Sequence, residues 1–438
     1  MRCVHLSLSL VPCCMGVLLL AGCGGDGGGR QPGAGGAHKK LTFWHIQTKD
    51  PTKGVIAGAV KRFEKANPGC SVEVLAYEND AYKNKLRLAM PADSAPDVFH
   101  TWGGGALAAE ARAGRVLDLG RYVTAKQRED YHAAALSFCT ADGKLLALPA
   151  DLSAVVFWYN REIFRTHGVA VPKTWKQLLS ASAKLKSAGV TPIALGNSDS
   201  WPGAFYFIYF GMRCGGAEPF ASALARKPGK GFEHESFMNS GRRIRELATS
   251  GYLSGGFNGR NYTQMRGDFF GGRAAMMLMG SWILANARKE APEGFLAKMG
   301  CFAFPQAGGS AADQSLVVGG VNAAYAVSSR CAHPDLAVKL VLELTSVESA
   351  RRWAATGRIP ALRKSLVEKF LAPETKDPAA VLAGASGIQL YYDQALSPEL
   401  AQLHKSTTQG LFAGTKTPAE AARLMEAKAR SIAARKGK

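Results

Sequence analysis

Residues 41–102, LTFWHIQTKDPTKGVIAGAVKRFEKANPGCSVEVLAYENDAYKNKLRLAMPADSAPDVFHTW, carry the pattern that decides the fold. Leu41 to Ile46 is an apolar run of strand type. From Gly54 to Ala66 the spacing of Ile56, Val60 and Phe63 predicts a helix, which Asn67-Pro68-Gly69 stops. Ser71 to Tyr77 alternates and predicts a second strand. A second helical stretch follows around Tyr82 to Met90, and Pro96-Asp97-Val98-Phe99 reads as a short third strand. The order β-α-β-α-β implies a parallel sheet with helices on its faces. Ligands of such sheets sit beyond the carboxyl ends of the strands, which points to the loops after Phe43 and Phe99.

Working outward, the 438 residues, 47% hydrophobic and 20% charged, hold enough apolar material for a folded chain of two domains. Gly143 to Pro149 leads into an apolar segment, Ala154 to Tyr159, expected to be a strand crossing into a second lobe. Thr174 and Gln177 form a capping box that opens a helix ending at Gly189, and Thr191 to Leu195 is the next strand, so the second lobe is also α/β. Thr417-Pro418-Ala419-Glu420 repeats the helix-start chemistry and opens a helix toward Ile432. No repeat of 20–50 residues is found.

Residues 1–22 hold one charge, Arg2, and an apolar stretch from Leu6 to Leu20 broken by Pro12, the layout of a secretory signal. The segment ends Leu20-Ala21-Gly22-Cys23, which resembles the lipobox of bacterial lipoproteins and makes Cys23 the expected lipidation site. Several acyl chains on one Cys hold a protein at a membrane far better than one chain does. Residues 23–40 continue as a glycine-rich tether whose reach by coil scaling is about 20–25 Å. Of the nine Cys, Cys70, Cys139, Cys214, Cys301 and Cys331 remain. Their odd number and wide spacing argue against a disulfide framework and a zinc knuckle, and leave one or two disulfides open.

The chain has no G-x-S-x-G elbow, no phosphate-binding G-x-x-x-x-G-K-[ST] loop and no H-E-x-x-H, since His234-Glu235 lacks its second His. Gly103-Gly104-Gly105 is not a spaced dinucleotide fingerprint and is expected to be a tight turn that lets ligand approach the backbone. A glycosidase needs only two suitably separated carboxylates, so that class stays open. The formal charge of +20 would suit an anionic partner. It is spread along the chain without a run of five or six basic residues, so a solvated basic surface is expected and nucleic acid is not.

The aromatics are more telling. Trp44 ends the first strand, Trp102 follows the third, Trp201 falls in the turn-rich stretch Asn197 to Gly203, expected to be surface loop, and Trp282 follows the apolar strand Ala274 to Gly280. Together they suggest one aromatic-lined cleft. An indole face stacks on the C–H face of a pyranose while the hydroxyls reach polar side chains. Trp158, Trp175 and Trp353 lie inside elements and are expected in the core, as is the Met276, Met277, Met279 cluster. His45 is read as a hydrogen-bonding loop residue rather than a metal ligand, and no metal or cofactor is expected.

An ordered set of motifs resembles the extracellular solute-binding proteins of ABC importers, in the branch of sugar- and maltose-type binding lipoproteins. The set runs through Leu41-Thr42-Phe43-Trp44-His45, Phe63 to Gly69, Ala95-Pro96-Asp97-Val98-Phe99, Leu148-Pro149 and Phe157-Trp158-Tyr159-Asn160. It continues with Val171-Pro172-Lys173-Thr174-Trp175, Gly272 to Met277 with Gly280-Ser281-Trp282, and Tyr391-Tyr392-Asp393-Gln394. The resemblance implies a periplasmic-binding-protein fold of type II: two α/β lobes joined by hinge crossings near 149–153 and 318–321. Residues 41–150 with 316–350 would form the N-lobe, and 151–315 with 351–438 the C-lobe. It implies ligand contacts at Trp44, His45, Trp102, Asp151, Trp201, Trp282, Gly320, Arg358 and Tyr391, with Asp151 and Arg358 bonding hydroxyls. The implied protein has no catalysis. It is a monomer held outside the cytoplasm, at the periplasm or cell surface, by its lipid, and it passes a sugar or oligosaccharide to permease subunits. The rival expectations are a glycan-degrading enzyme using Asp151 with Asp393, and a binder of an anionic sugar or other small solute.

Overall fold

The computed structural model describes residues 38–92, 94–307, 312–363 and 367–436. The signal, Cys23 and nearly all of the tether lie outside the described residues. Twelve strands are β1 (Lys39–His45), β2 (Cys70–Ala76), β3 (Val98–Thr101), β4 (Thr140–Ala141), β5 (Lys144–Leu145), β6 (Leu148–Asn160), β7 (Thr191–Ala194), β8 (Ala274–Gly280), β9 (Met299–Phe302), β10 (Val317–Val327), β11 (Ile359–Pro360) and β12 (Ile388–Leu390). The main sheet runs β2-β1-β3-β10-β6-β8-β7, with β11 and β9 on β6 and β12 on β10, while β4 and β5 form a separate hairpin.

The opening β-α-β-α-β unit is as the sequence predicts. β1 is parallel to both β2 and β3, with helices Thr52–Ala66 and Asn79–Ala89 between the strands. Asp97 ties the start of β3 to β1, accepting from the backbone N–H and hydroxyl of Thr42 at 2.8 and 2.9 Å. The capping box at Thr174 and Gln177 opens helix Trp175–Ser187. Thr417 and Glu420 exchange the same pair of bonds at the start of helix Pro418–Lys436. Asn160 caps helix Arg161–Thr166 through Glu162 N and Ile163 N, so this part of the Trp-Tyr-Asn motif has a structural reason.

Two strands pass from one core to another. On β6, Leu148 and Ala150 pack with Phe43, Ile56, Phe63, Tyr325 and Trp353. Farther along, Ala154 to Trp158 pack with Leu178, Tyr209, Met277 and Phe304. β10 makes the reverse passage, with Val317 and Val318 in the second core and Ala323, Tyr325 and Val327 in the first. The two strands pair antiparallel from Gly319↔Ala154 to Tyr325↔Leu148. Trp158, Trp175, Trp353 and the three Met are buried.

Three expectations are corrected. The chain does not leave the first core at 351, because Trp353, Leu362 and Val367 pack there; Leu390 is again in the second core. The glycines at 103–105 serve packing, not ligand approach: a Cβ on Gly103 would strike the Phe138 carbonyl, and on Gly104 and Gly105 the carbonyls of Gln394 and Ala395. Trp201 is not in a loop but begins helix Trp201–Gly215, whose start Pro202 favours. All five Cys are free thiols, so no disulfide forms among them. No helix among the described residues is long and apolar enough to cross a membrane.

Candidate binding cleft

A cleft of about 540 Å³ opens where the two cores meet, within the size range of small-molecule sites. One wall follows the carboxyl ends of β1, β2 and β3: Ile46 to Asp50, Glu78 to Ala81, Lys83, and Trp102. The other follows β7 and β8 and the start of helix Tyr262–Phe270: Asp199, Trp201, Phe205, Tyr262, Arg266, Trp282 and Asn286. Asn322 on β10, Arg358 ahead of β11, and Tyr391, Asp393 and Gln394 after β12 complete it. In a doubly wound sheet these are the ends where backbone stops pairing and side chains become free for a ligand.

Aromatic rings cluster on the second wall. Trp201 meets Tyr262 at 4.9 Å between ring centroids and Trp282 at 6.2 Å. Trp282 and Phe205 each approach Tyr391, at 6.2 and 5.6 Å. The Trp282 indole donates to the Tyr262 hydroxyl at 3.1 Å, and that hydroxyl donates to Asn286 Oδ1 at 3.2 Å. Arg266 lies over the Tyr262 ring and is fixed by a two-pronged bond to Glu290 at 2.8 and 2.9 Å. The indole plane is therefore held from its polar edge. On the facing wall the edge of Trp102 meets His100 at 4.5 Å, and Lys83 Nζ sits 4.8 Å from its ring centre. Burial holds His100 neutral, well below the usual imidazole range, and the nearby charges of Arg358 and Lys83 add to the shift.

Of the residues carried over from the resemblance, Trp102, Trp201, Trp282, Arg358 and Tyr391 line this cleft, and four are not brought to it. Trp44 is 8% exposed and packs against Tyr77, with Lys85 over its ring. His45 is the last residue of β1, not a loop residue. It is buried beside Phe43, and its Nδ1 accepts from Gln47 N at 3.0 Å; burial lowers it to about 4. Asp151 is 1% exposed and accepts from Arg358 Nη1 at 2.9 Å, Asn322 Nδ2 at 3.1 Å and Ala323 N at 2.7 Å. Burial raises its carboxyl to about 6 against the pull of Arg358. Gly320 lies on the β6–β10 crossing at φ 154°, where a Cβ would come 2.5 Å from Leu390 Cδ1. The Tyr391 hydroxyl also reaches that crossing, 2.5 Å from Ser153 Oγ.

The sequence reading missed Gln47, Lys83, Tyr262, Arg266, Asn286 and Asn322 on the cleft walls. A signal existed for the helix that carries Tyr262: Asn261-x-x-Gln264 is a capping box, which marks a helix start. The pairing of Asp151 with Asp393 as two carboxylates facing one ligand does not form, since Asp393 lines the cleft while Asp151 is turned into the hinge strands. The lining charges nearly balance. Asp50, Glu78, Asp80, Asp199, Glu290 and Asp393 stand against Lys49, Lys83, Arg266, Lys289 and Arg358, so the excess positive charge lies elsewhere. Among the described residues, no group of His, Cys, Asp and Glu could hold a metal ion.

Two α/β cores joined by crossing strands, with an aromatic cleft between them, define a two-lobed binding protein. Comparison with known proteins agrees. A match to the bacterial extracellular solute-binding proteins spans residues 47–351. An ABC transporter extracellular-binding protein of Pyrococcus horikoshii is 24% identical over 371 residues, 80% of each chain. The multiple sugar-binding protein of Streptococcus mutans is 21% identical over 346 residues, 76% of this chain and 78% of its own. A structure solved in work on xylan utilization by the thermophilic bacterium Caldanaerobius polysaccharolyticus is 29% identical with a TM-score of 0.83, over 89% of this chain and 99% of its own. A chitin oligosaccharide binding protein is 25% identical with a TM-score of 0.83, over 90% and 99%. The chain belongs to the bacterial extracellular solute-binding protein family. Its task is to bind a solute, not to transform one.

Proposed function

We propose that this protein captures a sugar or short oligosaccharide between its lobes and presents the closed form to the permease of an ABC importer. The observation that carries the reading is the facing of Trp102 by Trp201, Trp282 and Tyr262 across one cleft whose other lining groups are mostly hydrogen-bonding side chains. Apolar rings bury the C–H faces of a pyranose, and a polar rim selects among hydroxyl patterns. The near balance of lining charge supports a neutral ligand over an anionic one. The relatives named for sugars and the chitin oligosaccharide binding protein support the same class.

The protein works as a monomer, with 41–150 and 316–350 plus the stretch through 367 as one lobe and the remainder of the folded chain as the other. Cys23 carries the lipid that keeps it at the membrane, and the glycine-rich segment after it gives the body its reach. Ligand touching both walls favours the closed arrangement, so occupancy becomes a shape that a permease can read. Calorimetry with a panel of neutral oligosaccharides, paired with small-angle scattering of the free and saturated protein, tests this. Binding with a smaller radius of gyration is expected; tight binding without compaction overturns the delivery mechanism, and binding only of anionic solutes overturns the sugar assignment.

A further inference from the structure

Resemblance assigned Asp151 and Arg358 alike to the ligand, but the geometry separates them. Asp151 sits on β6, opposite Ala323 of β10 and Pro360 of β11, and all its bonds run inward. One oxygen accepts from Ala323 N; the other accepts from Arg358 Nη1 and Asn322 Nδ2. An ionised carboxylate only accepts, so Asn322 must turn its amide N–H toward Asp151, which leaves its carbonyl oxygen for the cleft that Asn322 lines. Arg358 is likewise 8% exposed, lies beside the Trp353 ring and lines the same cleft. Its Nε has no acceptor among the described residues. A buried guanidinium with one of its donors unmatched is a poor device for stability alone.

We propose that Asp151 is a positioning residue that fixes the Arg358 guanidinium and the Asn322 carbonyl as a donor–acceptor pair for adjacent hydroxyls of the ligand, at the strands where the lobes cross. The assignment rests on the sugar-capture reading and adds Asn322, which nothing in the sequence marked, as a ligand-binding residue. A hydroxyl both donates and accepts, so two neighbouring hydroxyls match one donor and one acceptor held at fixed spacing. The anchor is shared by β6, β10 and the segment leading into β11, so it is formed only where the three meet.

The groups facing Asp151 are Arg358 and Asn322, the Tyr325 hydroxyl on β10 and the Tyr391 hydroxyl after β12; His100 faces Arg358 from β3. Burial keeps both phenols neutral far above the physiological range and keeps His100 uncharged. Asp151, raised to about 6, is therefore the group of this cluster that titrates between pH 7.5 and 5. Taking up a proton there weakens its hold on Arg358.

The test uses calorimetry on the purified protein with xylotriose, N,N′,N″-triacetylchitotriose and maltotriose, continuing with whichever binds most tightly. Asn322→Ala is expected to lose about tenfold or more in affinity with its melting temperature kept, and Arg358→Lys, which loses the planar fork, at least as much. Asp151→Asn alone should match or exceed Arg358→Lys, and the double variant should lose clearly less than the product of the two single losses, because Asp151 acts on the ligand partly through Arg358 and keeps only its share through Asn322. Wild-type affinity should fall between pH 7.5 and 5, and Asp151→Asn should flatten that profile. Should Asp151→Asn not fold, Asn322→Ala and Arg358→Lys decide. Affinities of these two within twofold of wild type, additive losses in the double variant, or a pH profile unchanged in Asp151→Asn would each overturn the assignment. A wild type that binds none of the three, nor any other member of the neutral-oligosaccharide panel, removes the sugar reading itself, and this assignment with it.

Discussion

Trp282 shows how a single backbone position sets a binding surface. Its ring lies against Gly280, where a Cβ would overlap the six-membered ring of the indole. Glycine is required there for close approach, since the residue is ordinary extended backbone at the end of β8. Trp282→Ala is expected to weaken ligand by about 30-fold or more, the scale of a central aromatic anchor, while the half-buried side chain leaves the melting temperature nearly unchanged. Gly280→Ala should push the ring off its seat and lose much of the same affinity with the indole still present. Titration calorimetry on both variants checks this, and full affinity in Gly280→Ala would show that the ring position does not matter. A place on the cleft wall was legible in the sequence for Trp102, Trp201 and Trp282, and not for Trp44 and His45. The reason is geometric: Trp102 and Trp282 lie past the last residue of their strands, Thr101 and Gly280, whereas Trp44 and His45 are still paired with Leu75 and Ala76. A residue inside the ladder points to one face of the sheet or the other. His45 accordingly joins Phe43 on one face, and Trp44 joins Tyr77 and Tyr82 on the opposite one.

At the scale of elements, the local signals read truly. Helix starts at Thr174 and Thr417 and the opening parallel unit follow from caps and periodicity, which are properties of short stretches. What no short stretch shows is that β6 runs for 13 residues through both cores, or that Trp353 to Val367 stay with the first core. Both depend on pairing between segments far apart in the chain. The crossing itself is tightly built. A Cβ on Gly319 would strike the Ser153 carbonyl of β6 and come 3.2 Å from Ile388 Cγ2 of β12. Gly319→Ala must therefore spread β10 from β6, at a cost of about 1–3 kcal/mol by the usual penalty for overpacking. Urea unfolding should record it as a lower midpoint with an unchanged slope, and an unshifted midpoint would mean the crossing strands yield more easily than their packing implies.

For the whole molecule, buried imidazoles govern the response to acid. His45 and His404 are each lowered to about 4 by burial, with Lys53 and Lys405 respectively adding to the shift, and fully buried His100 is lowered well below 6.5. Near pH 5 His45 and His404 are neutral when folded and protonated when unfolded, so the unfolded chain binds more protons there, and the lowering of His100 works in the same direction. Asp151 works the other way: raised to about 6, it is protonated when folded and ionised when unfolded. The imidazoles outweigh it, so protons are taken up on unfolding and stability falls as pH drops from 6.5 toward 4. The salt-bridged carboxylates Glu399 and Glu426, each held at about 2, add to the loss only below about pH 4.5. Replacing His404, whose Nε2 is buried without a hydrogen-bond partner among the described residues between the Phe207 and Tyr392 rings, by Gln removes one of the three imidazoles. Urea midpoints between pH 7 and 4.5 should fall less steeply near pH 5 in His404→Gln than in the wild type. Parallel curves for the two proteins would mean that His404 already carries its proton in the folded state.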